Sequence, residues 1–119
     1  MQVCYDLRFP VWSRNRGNSD VIIYSANWPE VRSYAWKSLL VARAIENQCY
    51  VIGVNRIGIN PDGTSYSGDS VIIGPKGEVI ASLERYSEGV ITAEISRELL
   101  DKYRAEMPVW RDADPFTLD

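Results

Sequence analysis

The pattern of apolar and polar positions along the chain predicts short strands alternating with two helices. Apolar residues recur at helical spacing over Val31–Gln48, and Ser96 is suited to cap a second helix that runs to about Ala105. The last segment, 108–119, lacks periodicity and is expected to pack as an extended arm. Short apolar runs bounded by turn residues predict strands at 1–5, 19–26, 50–58, 69–74, 78–83 and 88–95.

Turn-forming residues organise these strands. Pro75-Lys76-Gly77 joins the 69–74 and 78–83 strands into a β-hairpin, and Asn60-Pro61-Asp62-Gly63 marks a turn after the 50–58 strand. Pro10 favours a turn or the first turn of a short helix behind the opening strand. The order of elements predicts a mixed α/β sandwich. Because the opening strand is so short, we expect that an N-terminal portion is missing.

Two charged residues lie on the apolar side of the first predicted helix. A helical wheel places Arg43 and Glu46, an i,i+3 pair, beside Leu39, whereas Lys37 and Gln48 lie on the polar side. Charged groups that face a core need partners. We therefore expect Arg43 and Glu46 to pair with each other or with backbone groups.

Composition narrows the class of protein. The chain has 119 residues, 45% of them hydrophobic and 24% charged, which fits one ordinary globular domain. Its net charge is −3 with scattered basic residues, which argues against a nucleic-acid partner. The apolar runs are far shorter than the roughly 20 residues of a membrane-spanning helix, and no leader-like segment is evident. We expect a cytoplasmic protein without a membrane partner.

The content of cysteine and histidine limits the possible chemistry. The two cysteines, Cys4 and Cys49, cannot build a disulfide framework, and the chain contains no histidine. A Cys-His or Ser-His pair within this chain is therefore excluded, and the usual zinc ligand is missing. No glycine-rich phosphate loop follows a strand. We expect neither a metal nor a cofactor.

Cys4 is the sharpest candidate for chemistry. It lies where a strand turns into a short helix, and free N–H groups at such a point can stabilise a thiolate or an oxyanion. The alternative is that Cys4 is a small packed core residue in a non-enzymatic binding or interaction module. Cys49, placed before a buried strand, is expected to be packed.

Several segments resemble the nitrilase superfamily of carbon–nitrogen hydrolases, specifically its omega-amidase-like branch. The resemblance begins at CYDLRFPVWSRN and covers essentially the whole chain in the family's order. It continues through SANWP, ARAIENQCYVIGVNRIG, YSGDSVIIGPKGEVI and PVWRDADPFTL. It implies a four-layer α-β-β-α sandwich, of which residues 1–119 form the C-terminal portion.

The resemblance also implies roles for individual residues. Cys4 matches the nucleophile that hydrolyses the amide bond of a small ω-amide such as 2-oxoglutaramate, and the backbone N–H of Tyr5 matches an oxyanion-hole donor. Arg8 matches a residue that is structural or orients the substrate. Asn27 and Trp28 match positions that line the substrate pocket.

The family's general base, a glutamate, and its lysine lie upstream of the nucleophile. Glu46 matches a later family glutamate, so the resemblance implies a supporting role for Glu46 with Arg43. We therefore expect this chain alone to be inactive unless a second polypeptide supplies the missing groups. A different superfamily reaction, such as carbamoyl hydrolysis or acyl transfer, stays open.

An incomplete sandwich is expected to expose apolar surface and to associate. The resemblance implies a homodimer in which the tail containing Trp110 and Phe116 crosses to the partner. The alternative partner is a complementary N-terminal fragment.

Overall fold

The computed structural model of the chain describes residues 1–14 and 17–117. The helices are α1 (Ser33–Asn47) and α2 (Arg97–Glu106), with 3₁₀ helices at Cys4–Arg8, Glu30–Arg32 and Val109–Asp112. The strands are β1 (Gln2–Val3), β2 (Val21–Ala26), β3 (Tyr50–Asn55), β4 (Ile57–Ile59), β5 (Ser65–Ser67), β6 (Val71–Ile73) and β7 (Val79–Ser82).

The strands form a mixed sheet in the order β1-β2-β3-β6-β7, and β4 pairs with β5 in a separate hairpin. β1, β2 and β3 run parallel, whereas β6 and β7 are antiparallel to their neighbours. The mixed α/β architecture is as predicted from the sequence. No helix of the described part of the chain is long and apolar enough to cross a membrane.

Helix α1 packs its apolar face on one face of the sheet, where Gly53 leaves room for the helix because it has no side chain. A Cβ atom at Gly53 would lie only 2.5 Å from Leu40 and 2.9 Å from Trp36, so glycine permits the close approach of helix and strand. Burial of this interface supplies the main apolar core. Its members are Leu7, Ile22, Tyr24, Trp28, Trp36, Leu40, Ala44, Cys49, Val51, Val71 and Ile73.

The predicted strand 50–58 is divided into two strands. β3 ends at Asn55, and β4 pairs with β5, a strand that the apolar pattern had missed. The N–H of Asn55 donates to Ser70 Oγ (3.0 Å) instead of extending the ladder. The predicted turn at 60–63 connects β4 to β5, with the N–H of Gly63 donating to the carbonyl of Asn60.

The predicted strand 88–95 is wrong. This segment carries no strand pairing with any described residue, and Val90 is 92% exposed. The alternation of apolar residues is present, but a strand also needs a neighbour that accepts and donates backbone hydrogen bonds.

Other boundaries shift for local reasons. The opening strand, predicted over 1–5, ends at Val3, because the carboxylate of Asp6 accepts a hydrogen bond from Val3 N–H (2.9 Å) and a short helix begins at Cys4. The turn predicted at Pro10 is present, with Trp12 N–H donating to the carbonyl of Phe9 (3.1 Å). The tail contains the 3₁₀ helix at 109–112, whereas an extended arm was predicted. Its last residues, 118–119, lie outside the described residues.

Gln48 was predicted on the polar face of the helix, and this placement is wrong. Gln48 ends α1 in the left-handed conformation (φ 44°), so it no longer follows the helical wheel, and it is buried. Its side-chain Nε2 donates to the backbone carbonyl of Met107 (2.8 Å). Its backbone carbonyl accepts from Arg104 Nε (2.9 Å). These contacts dock the α2 end of the chain.

Candidate active site

The carboxyl ends of the three parallel strands meet at one edge of the sheet. Cys4 follows β1, Asn27 and Trp28 follow β2, and Asn55 ends β3. Open α/β sheets bind ligands at this edge because the loops that leave neighbouring parallel strands converge there.

Cys4 has a strained backbone. Its φ angle is +40°, a left-handed value that costs an L-residue about 1 kcal/mol or more. The strain is held by the turn behind it, in which Asp6 accepts from Val3 N–H and the carbonyl of Asp6 accepts from Phe9 N–H (3.0 Å). Cys4 is half-buried and packs against the edge of the apolar core, so these hydrogen bonds hold it in a fixed turn.

A cavity of about 490 Å³ opens beside this thiol, and we call it the Cys4 cavity. It brings together the five residues predicted to form the catalytic and substrate sites, which come from two separate segments of the chain. Its lining residues are Cys4, Tyr5, Arg8, Asn27, Trp28, Pro29, Arg32 and Tyr66.

Trp28 is fixed from several directions. Asn55 Oδ1 accepts from the backbone N–H of Trp28 (2.7 Å), and Asn55 Nδ2 donates to the Trp28 carbonyl (3.0 Å). The indole N–H donates to the carbonyl of Arg32 (2.7 Å), and the ring lies 5.5 Å from that of Trp36. The guanidinium of Arg8 stacks 4.8 Å from the Trp28 ring. One wall of the cavity is therefore rigid.

Arg43 and Glu46 do not line the cavity. The buried guanidinium of Arg43 donates through Nη2 to the carbonyl of Leu7 (2.6 Å) and through Nη1 to Glu46 (3.0 Å). The Glu46 side chain is 39% exposed, so only Arg43 faces the core, and the predicted placement of both charges there is wrong for Glu46. Through its hydrogen bond to Leu7, Arg43 anchors the last turn of the Cys4–Arg8 helix to α1.

The buried carboxylate of Asp69 forms an ionic network behind Trp36 with two half-exposed cations. Its carboxylate contacts Lys37 Nζ (2.7 Å) and Arg85 Nε (3.5 Å) and accepts from Ser67 Oγ (2.6 Å). The indole N–H of Trp36 donates to the Asp69 carbonyl (3.0 Å). The network thereby fixes the ring on which Trp28 rests.

Sequence reasoning missed three residues at or beside the cavity. Asn55, Arg32 and Tyr66 carried no pattern of their own, although Asn55 stands at a strand end, where a polar residue is a signal worth following. Tyr66 lies on the unpredicted β5, and its hydroxyl accepts from Asn60 Nδ2 (3.0 Å).

Cys49 is more deeply buried than Cys4. It is fully buried behind the end of α1, and its burial raises the pKa of the thiol to about 12. Such a thiol stays protonated at neutral pH and is a poor nucleophile.

A family model described as carbon-nitrogen hydrolase matches residues 1–105. The chain is 53% identical over 116 residues to omega-amidase YafV of Escherichia coli K12, covering 98% of this chain and 45% of that protein. It is 46% identical over 112 residues to 2-oxoglutaramate amidase of Bacillus subtilis, covering 92% of this chain and 42% of the relative.

The fold agrees with this family. XC1258 from Xanthomonas campestris, a CN-hydrolase superfamily protein with an arsenic adduct in its active site, superposes with a TM-score of 0.93 at 45% identity. The match covers 98% of this chain and 47% of that chain. The chain thus spans about half the length of the relatives it matches. It belongs to the carbon–nitrogen hydrolase family, the nitrilase superfamily, and within it to the omega-amidase-like branch.

Proposed function

We propose that Cys4 is the nucleophile of an amidase that hydrolyses a small ω-amide such as 2-oxoglutaramate. The single observation that carries the proposal is the strained Cys4 at the strand end, with its thiol beside a cavity lined by Arg8, Asn27 and Trp28. Two relatives are an omega-amidase and a 2-oxoglutaramate amidase, which supports this reaction class.

The reaction proceeds in two steps. The Cys4 thiol gives its proton to the general base as its sulfur attacks the amide carbon, and the tetrahedral intermediate collapses as that proton passes to the nitrogen, which leaves as ammonia and leaves a thioester on Cys4. Water then attacks the thioester carbon, which releases the carboxylic acid and regenerates the thiol. The N–H of Tyr5 lies in the first turn of the 3₁₀ helix, where N–H groups lack an intrahelical acceptor, and it donates to the developing oxyanion.

The 119-residue chain supplies only part of this machinery. The described residues that line the Cys4 cavity include no carboxylate and no lysine, so none of them can serve as general base or as the lysine of the family's triad. Loss of a general base costs about two to four orders of magnitude in rate. We therefore propose that a second polypeptide completes the site.

An apolar face of the sheet is available for that association. Val3, Ile23 and Val54 lie on the face of the sheet opposite α1 and are 59%, 38% and 50% exposed. Adjacent strands place Val3 and Val54 on either side of Ser25, so these side chains form one surface. Exposed apolar surface of this kind favours pairing with a second copy or with a complementary N-terminal fragment, and of these the fragment would supply the missing catalytic groups.

Two measurements test the proposal, the first its requirement for a partner and the second the nucleophile. The purified chain, incubated with 2-oxoglutaramate, is expected to release no ammonia, and release that Cys4→Ala abolishes would overturn the claim that the chain needs a partner. In the folded chain, iodoacetamide is expected to alkylate Cys4 at least about tenfold faster than Cys49 because only Cys4 is accessible. Peptide mapping by mass spectrometry separates the two sites, and equal inertness would favour the non-enzymatic interaction module.

A further inference from the structure

Asn55 lies where the ladder between β2 and β3 ends. The last pair of this ladder is Ala26 with Asn55, and the chain then passes through Arg56 into β4. The backbone of Trp28 therefore lies beyond the ladder. The side chain of Asn55 takes the place of a strand neighbour for it: Oδ1 accepts from the Trp28 N–H (2.7 Å), and Nδ2 donates to the Trp28 carbonyl (3.0 Å).

The same amide also holds the turn between β5 and β6. Nδ2 of Asn55 donates a second hydrogen bond to the carbonyl of Gly68 (2.8 Å). Gly68 has a φ angle of +76°, and a Cβ atom there would lie 2.8 Å from Ile57, so this turn requires glycine. The backbone of Asn55 is fixed by Ser70, whose Oγ accepts from the Asn55 N–H (3.0 Å) and donates to the Asn55 carbonyl (3.2 Å).

These contacts form a closed cycle behind one wall of the Cys4 cavity. The ring of Trp28 lies 5.5 Å from that of Trp36, and the indole N–H of Trp36 donates to the carbonyl of Asp69 (3.0 Å). Asp69 directly follows Gly68, and Asn55 connects Gly68 back to Trp28. Trp28 therefore cannot move away without breaking a contact of this cycle.

The three partners of the Asn55 amide match asparagine in chemistry and in reach. The Trp28 N–H needs an acceptor, and the carbonyls of Trp28 and Gly68 need donors. An aspartate would bring a carboxylate, which only accepts, against two carbonyl oxygens. A glutamine would carry the right groups one methylene too far.

We propose that Asn55 is a positioning residue that fixes Trp28 and thereby sets the width of the Cys4 cavity at the thiol. Asn55 does not line the cavity, so it acts through Trp28. This inference rests on the proposed function, because the position of the wall affects catalysis only if Cys4 attacks a substrate there. A misplacement of about 1 Å in a reactive complex can cost about a hundredfold in rate.

Alkylation of Cys4 by a small and a bulky reagent tests this role on the chain itself. Iodoacetamide and N-phenylmaleimide both react with the thiolate, so the ratio of their rate constants does not depend on the thiolate population. Each rate constant is divided by that of N-acetylcysteine with the same reagent. The ratio of the maleimide to the iodoacetamide value then reports how much room the cavity leaves at the thiol.

In the parent chain this ratio is expected to lie below that of N-acetylcysteine. Asn55→Ala is expected to raise it about fivefold, the shift in population that the loss of one neutral hydrogen bond supports. Asn55→Gln keeps the acceptor and both donors but displaces them, and it is expected to raise the ratio as well. A role limited to satisfying buried hydrogen bonds would leave the glutamine variant like the parent.

A spectroscopic measurement follows the wall directly. The chain has four tryptophans, so labelling with 5-fluorotryptophan gives four ¹⁹F resonances, and Trp28→Phe assigns that of Trp28. Both Asn55 variants are expected to shift or broaden the Trp28 resonance and to leave those of Trp12 and Trp110 in place. If Asn55→Ala does not fold, Asn55→Gln decides in both measurements.

Asn47→Ala is the matched control. Asn47 is buried, its Nδ2 donates to the carbonyl of Arg43 (2.9 Å), and it lies outside the cavity. If the Asn55 variants leave the ratio and the Trp28 resonance unchanged, or if Asn47→Ala raises the ratio equally, the positioning role is wrong while the proposed nucleophile stands. If Cys4 reacts with neither reagent in the folded chain, the nucleophile itself is wrong and the positioning role falls with it.

Discussion

The two faces of the sheet differ in how far their apolar side chains are covered. On the face toward α1, Tyr24 and Val51 are fully buried, as is Leu40 on the helix. On the other face, the neighbouring positions Ile23 and Val54 are 38% and 50% exposed. The same strands supply both faces, because successive side chains point to opposite sides.

This difference in exposure shows which face of the sheet the chain covers with its own residues. The α1 face forms a closed core, and that core supports Trp36 and Trp28 and hence one wall of the Cys4 cavity. The open face borders segment 83–91 across a groove of about 660 Å³ and presents apolar side chains to solvent. This chain therefore forms the cavity wall by itself. A partner is proposed to supply the missing catalytic groups.

Removing packing from the α1 face should have the largest effect. Leu40→Ala deletes a fully buried side chain that contacts the sheet at Gly53. We expect the free energy of unfolding to fall by about 2–5 kcal/mol from lost burial and the cavity left behind. Denaturation in urea followed by circular dichroism measures it.

The matched control is Leu99→Ala on α2, where the side chain is 64% exposed. Its expected change is within about 0.5 kcal/mol. Equal losses for the two variants would contradict the picture of one closed core on the α1 face.

The buried thiol and phenol on the closed face predict a loss of stability at alkaline pH. Burial raises the pKa of Cys49 from 9.0 to about 12, and it also raises the pKa of Tyr24. As the pH rises above about 9, the unfolded chain releases these protons while the folded chain keeps them. The unfolded state is thereby favoured.

We expect the free energy of unfolding to fall between pH 9 and 10 by about 1 kcal/mol from the Cys49 thiol, because the limiting slope of about 1.4 kcal/mol per pH unit is reached only when the thiol of the unfolded chain is fully ionised. Unfolding in urea at pH 8, 9 and 10 measures the slope, and Cys49→Ala should flatten it. A slope that Cys49→Ala leaves unchanged would show that the thiol is not the group responsible.

Local patterns were sufficient for the elements that rest on their own sequence. Helix α1, the β6-β7 hairpin and the capping of α2 by Ser96, whose Oγ accepts from Leu99 N–H (3.2 Å), follow from periodicity and turn chemistry. The β4-β5 hairpin was missed because Ser65 and Ser67 flank only one large residue. The predicted strand 88–95 failed because periodicity cannot supply a pairing partner.

The candidate site was predictable only along its contiguous segments. Cys4, Tyr5 and Arg8 lie within five residues of one another, so a single sequence motif could identify all three. Arg32 and Tyr66 reach the same cavity through tertiary structure, which no local pattern records. The left-handed backbone of Cys4 was likewise invisible, because it is imposed by the turn that Asp6 closes.

A charge on the open face should barely affect folding but should change association. Val54→Lys places an ammonium on a half-exposed position, where the long side chain can extend into water. We expect the stability of the folded unit to change by less than about 0.5 kcal/mol. Pairing through this face would then require burial of a charge without a partner, so we expect a shift toward monomer in sedimentation velocity.

Leu99→Lys separates this effect from the general repulsion of added charge. It introduces the same group at an exposed position on α2 and is expected to leave the association of the chain unchanged. If Val54→Lys associates as the parent does, the open face is not the contact surface, and a parent chain that stays monomeric would remove the basis for pairing altogether. Only a loss confined to Val54→Lys supports the contrast between a closed face that folds the chain and an open face that completes it.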